Sequence, residues 1–186
     1  MPESDDELEK AMEADEAKKS LPASIDIVQD KNLTPYEMMD RQDEEQILAE
    51  LDGIPSPVLE EMVYSFQSSA GRVTGLSWVG VKTLIVEAGH YEISDIHVIE
   101  TEKSYRVVAK AHDIKRNVSL FGMAEQPKMM KTKSGEMEDT FALQKASSKA
   151  QRNALQSLLP KKLVAEFVER CMKAKNDRSA PKVRYG

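Results

Sequence analysis

The chain has 186 residues, of which 40% are apolar and 31% charged, enough for one core of ordinary size with loose ends. No apolar run reaches the length of a membrane span, and the acidic N-terminus lacks the basic-then-apolar order of a secretion signal. The net charge of −6 hides a division, with 19 acids and 5 bases in residues 1–61 against 13 acids and 21 bases in residues 62–186.

Residues 1–33 are acidic and poor in large apolar groups, which predicts a disordered leader. Thr34-Pro35-Tyr36-Glu37 combines a capping threonine, a first-turn proline and the glutamate of a capping box. A helix is expected from there to Leu51, stopped by Gly53, with Met38, Met39, Ile47, Leu48 and Leu51 as its apolar side. Ile54-Pro55-Ser56-Pro57 reads as a linker, so residues 34–57 form an acidic helix and linker ahead of a domain at 58–175.

That domain opens with a small hairpin, residues 63–66 and 72–74, and a helix from Gly75 to Ala88 ended by Gly89. Three strands near 91–100, 104–113 and 116–123 predict an antiparallel meander, and hence an α+β fold. In the second strand Tyr105, Val107, Ala109 and Ala111 alternate with Arg106, Val108, Lys110 and His112, giving one buried and one basic face. Residues 124–138 read as a polar loop carrying Lys128, Lys131 and Lys133. Asp139 or Thr140 caps a helix that Pro160 closes. A last amphipathic helix with Leu163, Phe167, Val168 and Cys171 runs to about Lys175, and residues 176–186 form a loose basic tail.

Catalytic patterns are weak. Gly75-Leu-Ser-Trp-Val-Gly80-Val-Lys82-Thr83 approximates a phosphate-binding loop, but Val81 separates glycine from lysine and the apolar interior fits a helix. His90, His97 and His112 lack the paired short spacing of a zinc site, and no serine sits in a nucleophile elbow. Glu136, Glu138 and Asp139 read as turn and cap residues. Neither an enzyme nor a cofactor or metal is expected. The lone Cys171 cannot close an internal disulfide, which points to a reducing, cytoplasmic setting.

The central helix carries the strongest signal. Lys145, Lys149 and Arg152 stand at offsets of four and seven and form one cationic stripe, while Leu143, Ala146, Ala150, Ala154 and Leu158 gather opposite. The plain alternative is a solvated helix face. Arg106 and Lys110 on one strand face, the Lys128, Lys131 and Lys133 cluster and the segregated acids favour a phosphate-tracking surface instead. Arg116 joins this set, and Trp78, Tyr105 and Phe121 are candidates for stacking on bases, although core packing is the simpler reading of each.

The run Ser148-Lys149-Ala150-Gln151-Arg152-Asn153-Ala154-Leu155, following the meander and polar loop, resembles the single-strand annealing proteins. These are the RecT, Redβ and Erf families of phages and the eukaryotic strand-annealing recombination mediator. The resemblance is close over 139–160 and loose over 62–172. It implies a β-β-β-α core with helices on one face of the sheet, assembling into rings or helical filaments. It further implies single-stranded DNA held by its backbone in a groove between sheet and helix, with Lys149, Arg152, Asn153 and Gln156 along that groove. Gln156 departs from the family, standing where another base is expected.

The expected function is therefore single-stranded DNA binding and annealing in recombination or repair by a homo-oligomer. Two alternatives are a passive strand protector and a scaffold whose acidic N-terminal segment binds recombination or replication proteins. The charge division also suggests that the acidic leader competes with DNA for the basic groove.

Overall fold

A computed structural model describes residues 33–53, 56–68, 71–132 and 134–179. The leader expected at 1–33 and the linker residues Ile54 and Pro55 lie outside the described residues, apart from Leu33. The fold is α+β, with four helices and three separate antiparallel sheets among the described residues.

Helix α1, Pro35–Asp52, begins as the sequence predicts. Thr34 accepts from the Glu37 amide, Glu37 reaches back to the Thr34 amide at 2.7 Å, and Gly53 ends the helix at φ 66°. Its apolar side is far smaller than expected. Ile47 is buried, but Met38 and Leu51 are 37% and 47% exposed. Part of the expected linker is ordered, since Pro57–Glu60 makes a short 3-10 helix.

Strands β1 (Val63–Ser68) and β2 (Gly71–Leu76) form the expected hairpin. Helix α2 spans Trp78–Ala88 between a Ser77 cap and Gly89, starting three residues later than expected because Gly75 and Leu76 complete β2. The would-be phosphate loop is thus mostly helix. A Cβ on Gly80 would fall 1.9 Å from the Met62 carbonyl oxygen, so this glycine serves close packing rather than an anion.

Strands β3 (Tyr91–Glu100), β4 (Ser104–Asp113) and β5 (Val118–Pro127) make the antiparallel meander, in the order β3-β4-β5. The third strand starts two residues later than expected and runs four further, because residues 114–117 form the turn, with Asp113 accepting from the Lys115 and Arg116 amides. The expected polar loop is correspondingly short. Residues 124–127 complete β5, and β6 (Met129–Thr132) pairs with β7 (Gly135–Glu138) as a second hairpin.

Helix α3, Ala142–Leu158, lies across one face of the meander, and α4, Lys161–Ser179, follows Pro160. The last helix continues past Lys175 into the stretch expected to be a loose tail, and residues 180–186 lie outside the described residues. Neither Asp139 nor Thr140 occupies the cap position of α3, which falls on Phe141; Asp139 instead accepts from the Phe141 amide at 3.0 Å.

Val107, Ala109 and Ala111 of β4 are buried beneath α3, on the face that alternation assigned to the core. Ala146, Ala150 and Ala154 are fully buried on the helix side. Gly122 of β5 completes this seam: a Cβ there would lie 2.1 Å from the Ala154 nitrogen and 2.5 Å from the Ala150 oxygen. Small side chains therefore let the helix backbone rest almost on the strand. Leu143, placed with these alanines by its spacing, is 37% exposed, and the buried line is instead begun by Ala142, four residues before Ala146.

Candidate nucleic-acid interface

The seam fixes how α3 is rotated and so where Lys145, Lys149 and Arg152 point. They do fall in one row, as the offsets predict, but the row is not open: the three are 5%, 4% and 1% exposed. Neither an exposed cationic ridge nor a solvated helix face describes them. Helix α1 lies over the row and presents Asp40, Asp43 and Glu44, spaced at the same helical period.

The pairing is continuous. Lys149 Nζ donates to Asp40 Oδ2 at 2.6 Å, Glu44 Oε1 at 2.5 Å and Gln126 Oε1 at 2.8 Å. Lys145 Nζ donates to Asp139 Oδ2 at 2.9 Å and lies 3.6 Å from Glu44 Oε2. Arg152 meets Asp43, both 1% exposed. Burial alone would lower the Lys149 pKa, but Glu44 and Asp40 outweigh it and raise the value above that of an ordinary lysine. Burial draws the Arg152 pKa down, against the pull of Asp40 and Tyr36.

The two ends of α1 are held differently. At the inner end Gln46 Nε2 donates to the carbonyls of Val58 at 2.9 Å and Glu61 at 2.7 Å. Asp43 Oδ1 accepts from the Trp78 amide at 2.7 Å, and Gln46 Oε1 accepts from the Val79 amide at 3.1 Å. With Ser77 Oγ accepting from Gly80, these satisfy donors that the start of α2 leaves unpaired. Glu50 accepts from the Trp78 indole at 2.9 Å and pairs with Lys82. Trp78 is thus a buried anchor and no stacking platform. At the outer end Asp40 and Glu44 keep side-chain exposures of 27% and 21%.

The remaining predicted residues are dispersed. Asn153 Nδ2 donates to the Met123 carbonyl at 2.8 Å and its Oδ1 accepts from Arg152, tying α3 to β5, and Gln156 is half-buried nearby in sequence. Arg106 and Lys110 lie on the sheet face away from α3, as alternation predicts. Arg106 pairs with Glu125 at 3.1 Å, whose pKa the Ser104 hydroxyl and Arg106 both lower. Lys110 sits 6.0 Å from the Phe121 ring centroid. Arg116 pairs with Asp113 in the β4–β5 turn. Lys128 bonds Glu100 at 2.7 Å and lies 4.8 Å from the Tyr105 ring centroid. Lys131 stands opposite Glu136 in the second hairpin, and Lys133 lies outside the described residues. These cations do not extend the α3 row into one continuous positive trough.

The sheet face turned from α3 is open. Phe121 and Met123 are 64% and 71% exposed and share it with Ile99, Arg106 and Lys110. Of the proposed stacking residues, Phe121 alone is well exposed, since Tyr105 is half-buried. The acids that complete the α3 row, Asp40, Asp43, Glu44 and Asp139, were not singled out as its partners by sequence reasoning. Their signal was present: the first three repeat at offsets of three and four, complementary to the basic row.

Among the described residues no helix is long and apolar enough to cross a membrane, and no group of three His, Cys, Asp or Glu side chains is arranged to hold a metal ion. No protein-family model matches the chain, and no curated protein matches it.

Proposed function

We propose that this chain binds single-stranded DNA and promotes annealing of complementary strands as a homo-oligomer in recombination or repair. The observation that carries the reading is the row on α3: three aligned cations, each already filled by a carboxylate. Lysine and arginine side chains that donate to carboxylate oxygens at this geometry donate to phosphate oxygens equally well. The close seat of α3 on β5 holds the row at a fixed height above the sheet, which suits an extended backbone more than a single small anion. The family likeness of residues 148–155 supplies the preference for unpaired strands. No covalent chemistry enters; cations replace counterions, and several protomers hold many nucleotides extended together.

The test is a pair of measurements on the full chain. Fluorescently labelled oligonucleotides should bind with an affinity that falls by about 0.7 logarithmic units per phosphate contact for each tenfold rise in salt, and complementary strands should pair faster in its presence. Binding without faster pairing makes the protein a passive protector. Unpaired oligonucleotides that fail to associate at about 50 mM salt overturn the proposal. For the scaffold alternative Asp40, Asp43 and Glu44 of α1 are engaged inward, which leaves Glu45 and Asp52 as exposed acids of that helix.

A further inference from the structure

We infer that the outer edge of β3 is a self-association site, where two copies of this chain pair their β3 strands antiparallel about a two-fold axis at His97. This names a contact for the homo-oligomer proposed above but needs no DNA, so strand binding and self-association can fail separately.

The two edges of the meander are not alike. On β5 the Met123 carbonyl already accepts from Asn153 Nδ2 at 2.8 Å, and α3 rests on Gly122, so that edge is covered at its middle. No strand among the described residues pairs with the outer edge of β3. At the turn into β4 the Thr101 amide donates to the Ser104 carbonyl at 2.9 Å. Backbone groups alternate along a strand, so Ile99 and His97 also bond toward β4, while Ile96, Val98 and Glu100 turn theirs outward. A bulge between Ile93 and Asp95 leaves residues 95–100 as one regular run.

That run lacks the usual guards of a free edge. Ile96-His97-Val98-Ile99 holds no lysine, proline or carboxylate. The flanking acids have cations beside them, since Glu100 bonds Lys128 and Asp95 stands opposite Lys110. Ile96 and Val98 lie on the α3 side of the sheet, yet each is 42% exposed, because α3 lies mainly over β4 and β5.

Antiparallel pairing with the axis at His97 removes both deficits. Ile96 falls opposite Val98 of the second copy and Val98 opposite Ile96, so the outward backbone groups bond and the apolar side chains of both copies cover one another. Moving the axis to Val98 would set Ile96 against Glu100 and lose that match. Two such runs cover on the order of 1,000 Å², the lower limit for a specific interface, which fits a micromolar dimer. A two-fold contact closes at two copies, so a ring or filament needs a second contact besides.

The test is a register-sensitive cross-link in the full chain with its native thiol removed. On the axis the two His97 Cα atoms stand about 4.5 Å apart, within disulfide reach, whereas the two Ile99 Cα atoms are roughly 14 Å apart. His97→Cys/Cys171→Ser should therefore form a covalent dimer under mild oxidation at least about tenfold faster than Ile99→Cys/Cys171→Ser. Equal rates, or no dimer from the first, overturn the contact. In sedimentation across about 1 to 100 μM, wild type should rise from its monomer mass of 20.9 kDa to twice that or a multiple of it. Val98→Lys should keep the wild-type circular dichroism and need at least about tenfold higher concentration to associate. Association of this variant like wild type overturns the pairing. A wild type that stays monomeric while its Ile96 and Val98 amides exchange slowly would give the edge to another segment of the same chain, and overturns it too. Strands that fail to bind a protein which does cross-link would instead remove the DNA reading and leave this pairing standing.

Discussion

Asp43 of the first helix and Arg152 of the third meet in the interior, each with 1% of its surface in water. Asp43 also accepts the Trp78 amide, so one carboxylate joins three helices. A buried pair of this kind adds little net stability but makes the loss of one partner severe.

Arg152→Met should therefore destabilise the chain by about 3–5 kcal/mol, because Asp43 is left as an uncompensated buried charge. Asp43→Leu/Arg152→Met should recover part of that loss, with the Trp78 amide still lacking its acceptor. Urea unfolding followed by circular dichroism checks both; a single variant as stable as wild type would remove the pair from its anchoring role.

Gly122→Ala places a methyl group 2.1 Å from the Ala154 nitrogen, against backbone that has no rotamer to yield. A loss of about 1–3 kcal/mol is expected, or more if α3 cannot slide. The same urea measurement reports it, and an unchanged midpoint would mean that the seam is looser than described.

Phe121→Ser and Met123→Ser, on the open sheet face, should each change stability by less than about 0.5 kcal/mol, since both side chains are already in water. Thermal melting checks this. A substantially lower melting point would show that something covers this face in solution.

The ionic hold on α1 has a defined pH window. The pKa of Lys149 is raised in the folded chain, so its contribution is complete below the unfolded value of about 10.4 and is lost as pH rises through the folded value. The stability difference between wild type and Lys149→Met should be flat from about pH 7 to 9 and shrink above about 10.4. A difference that already declines near neutrality would contradict the assigned cause.

The architecture was largely legible in the chain because its signals are local. Thr34, Gly53, Gly89 and Pro160 mark helix ends through their own local chemistry, and alternation in β4 names the buried face, whereas the start of α2 at Trp78, capped by Ser77, was not read. The β6–β7 hairpin was missed because its strands are only four residues long and Met129-Met130-Lys131-Thr132 does not alternate apolar with polar side chains. The site was half legible. Helical spacing placed Lys145, Lys149 and Arg152 in one row, but spacing within a helix does not reveal what lies across it. Their burial depends on α1, about a hundred residues earlier, and such a pairing appears only when two charge patterns are compared with each other.

Trp78 is the sole indole in the chain, and it touches α1 twice, through its amide to Asp43 and its ring nitrogen to Glu50. Its emission is consequently a built-in optical gauge of whether the inner end of that helix stays seated. A red shift would mean that this end of α1 has come away from α2, and an unmoved spectrum that the Asp43 and Glu50 contacts persist. The molecule thus carries its own dye at the junction of its first two helices.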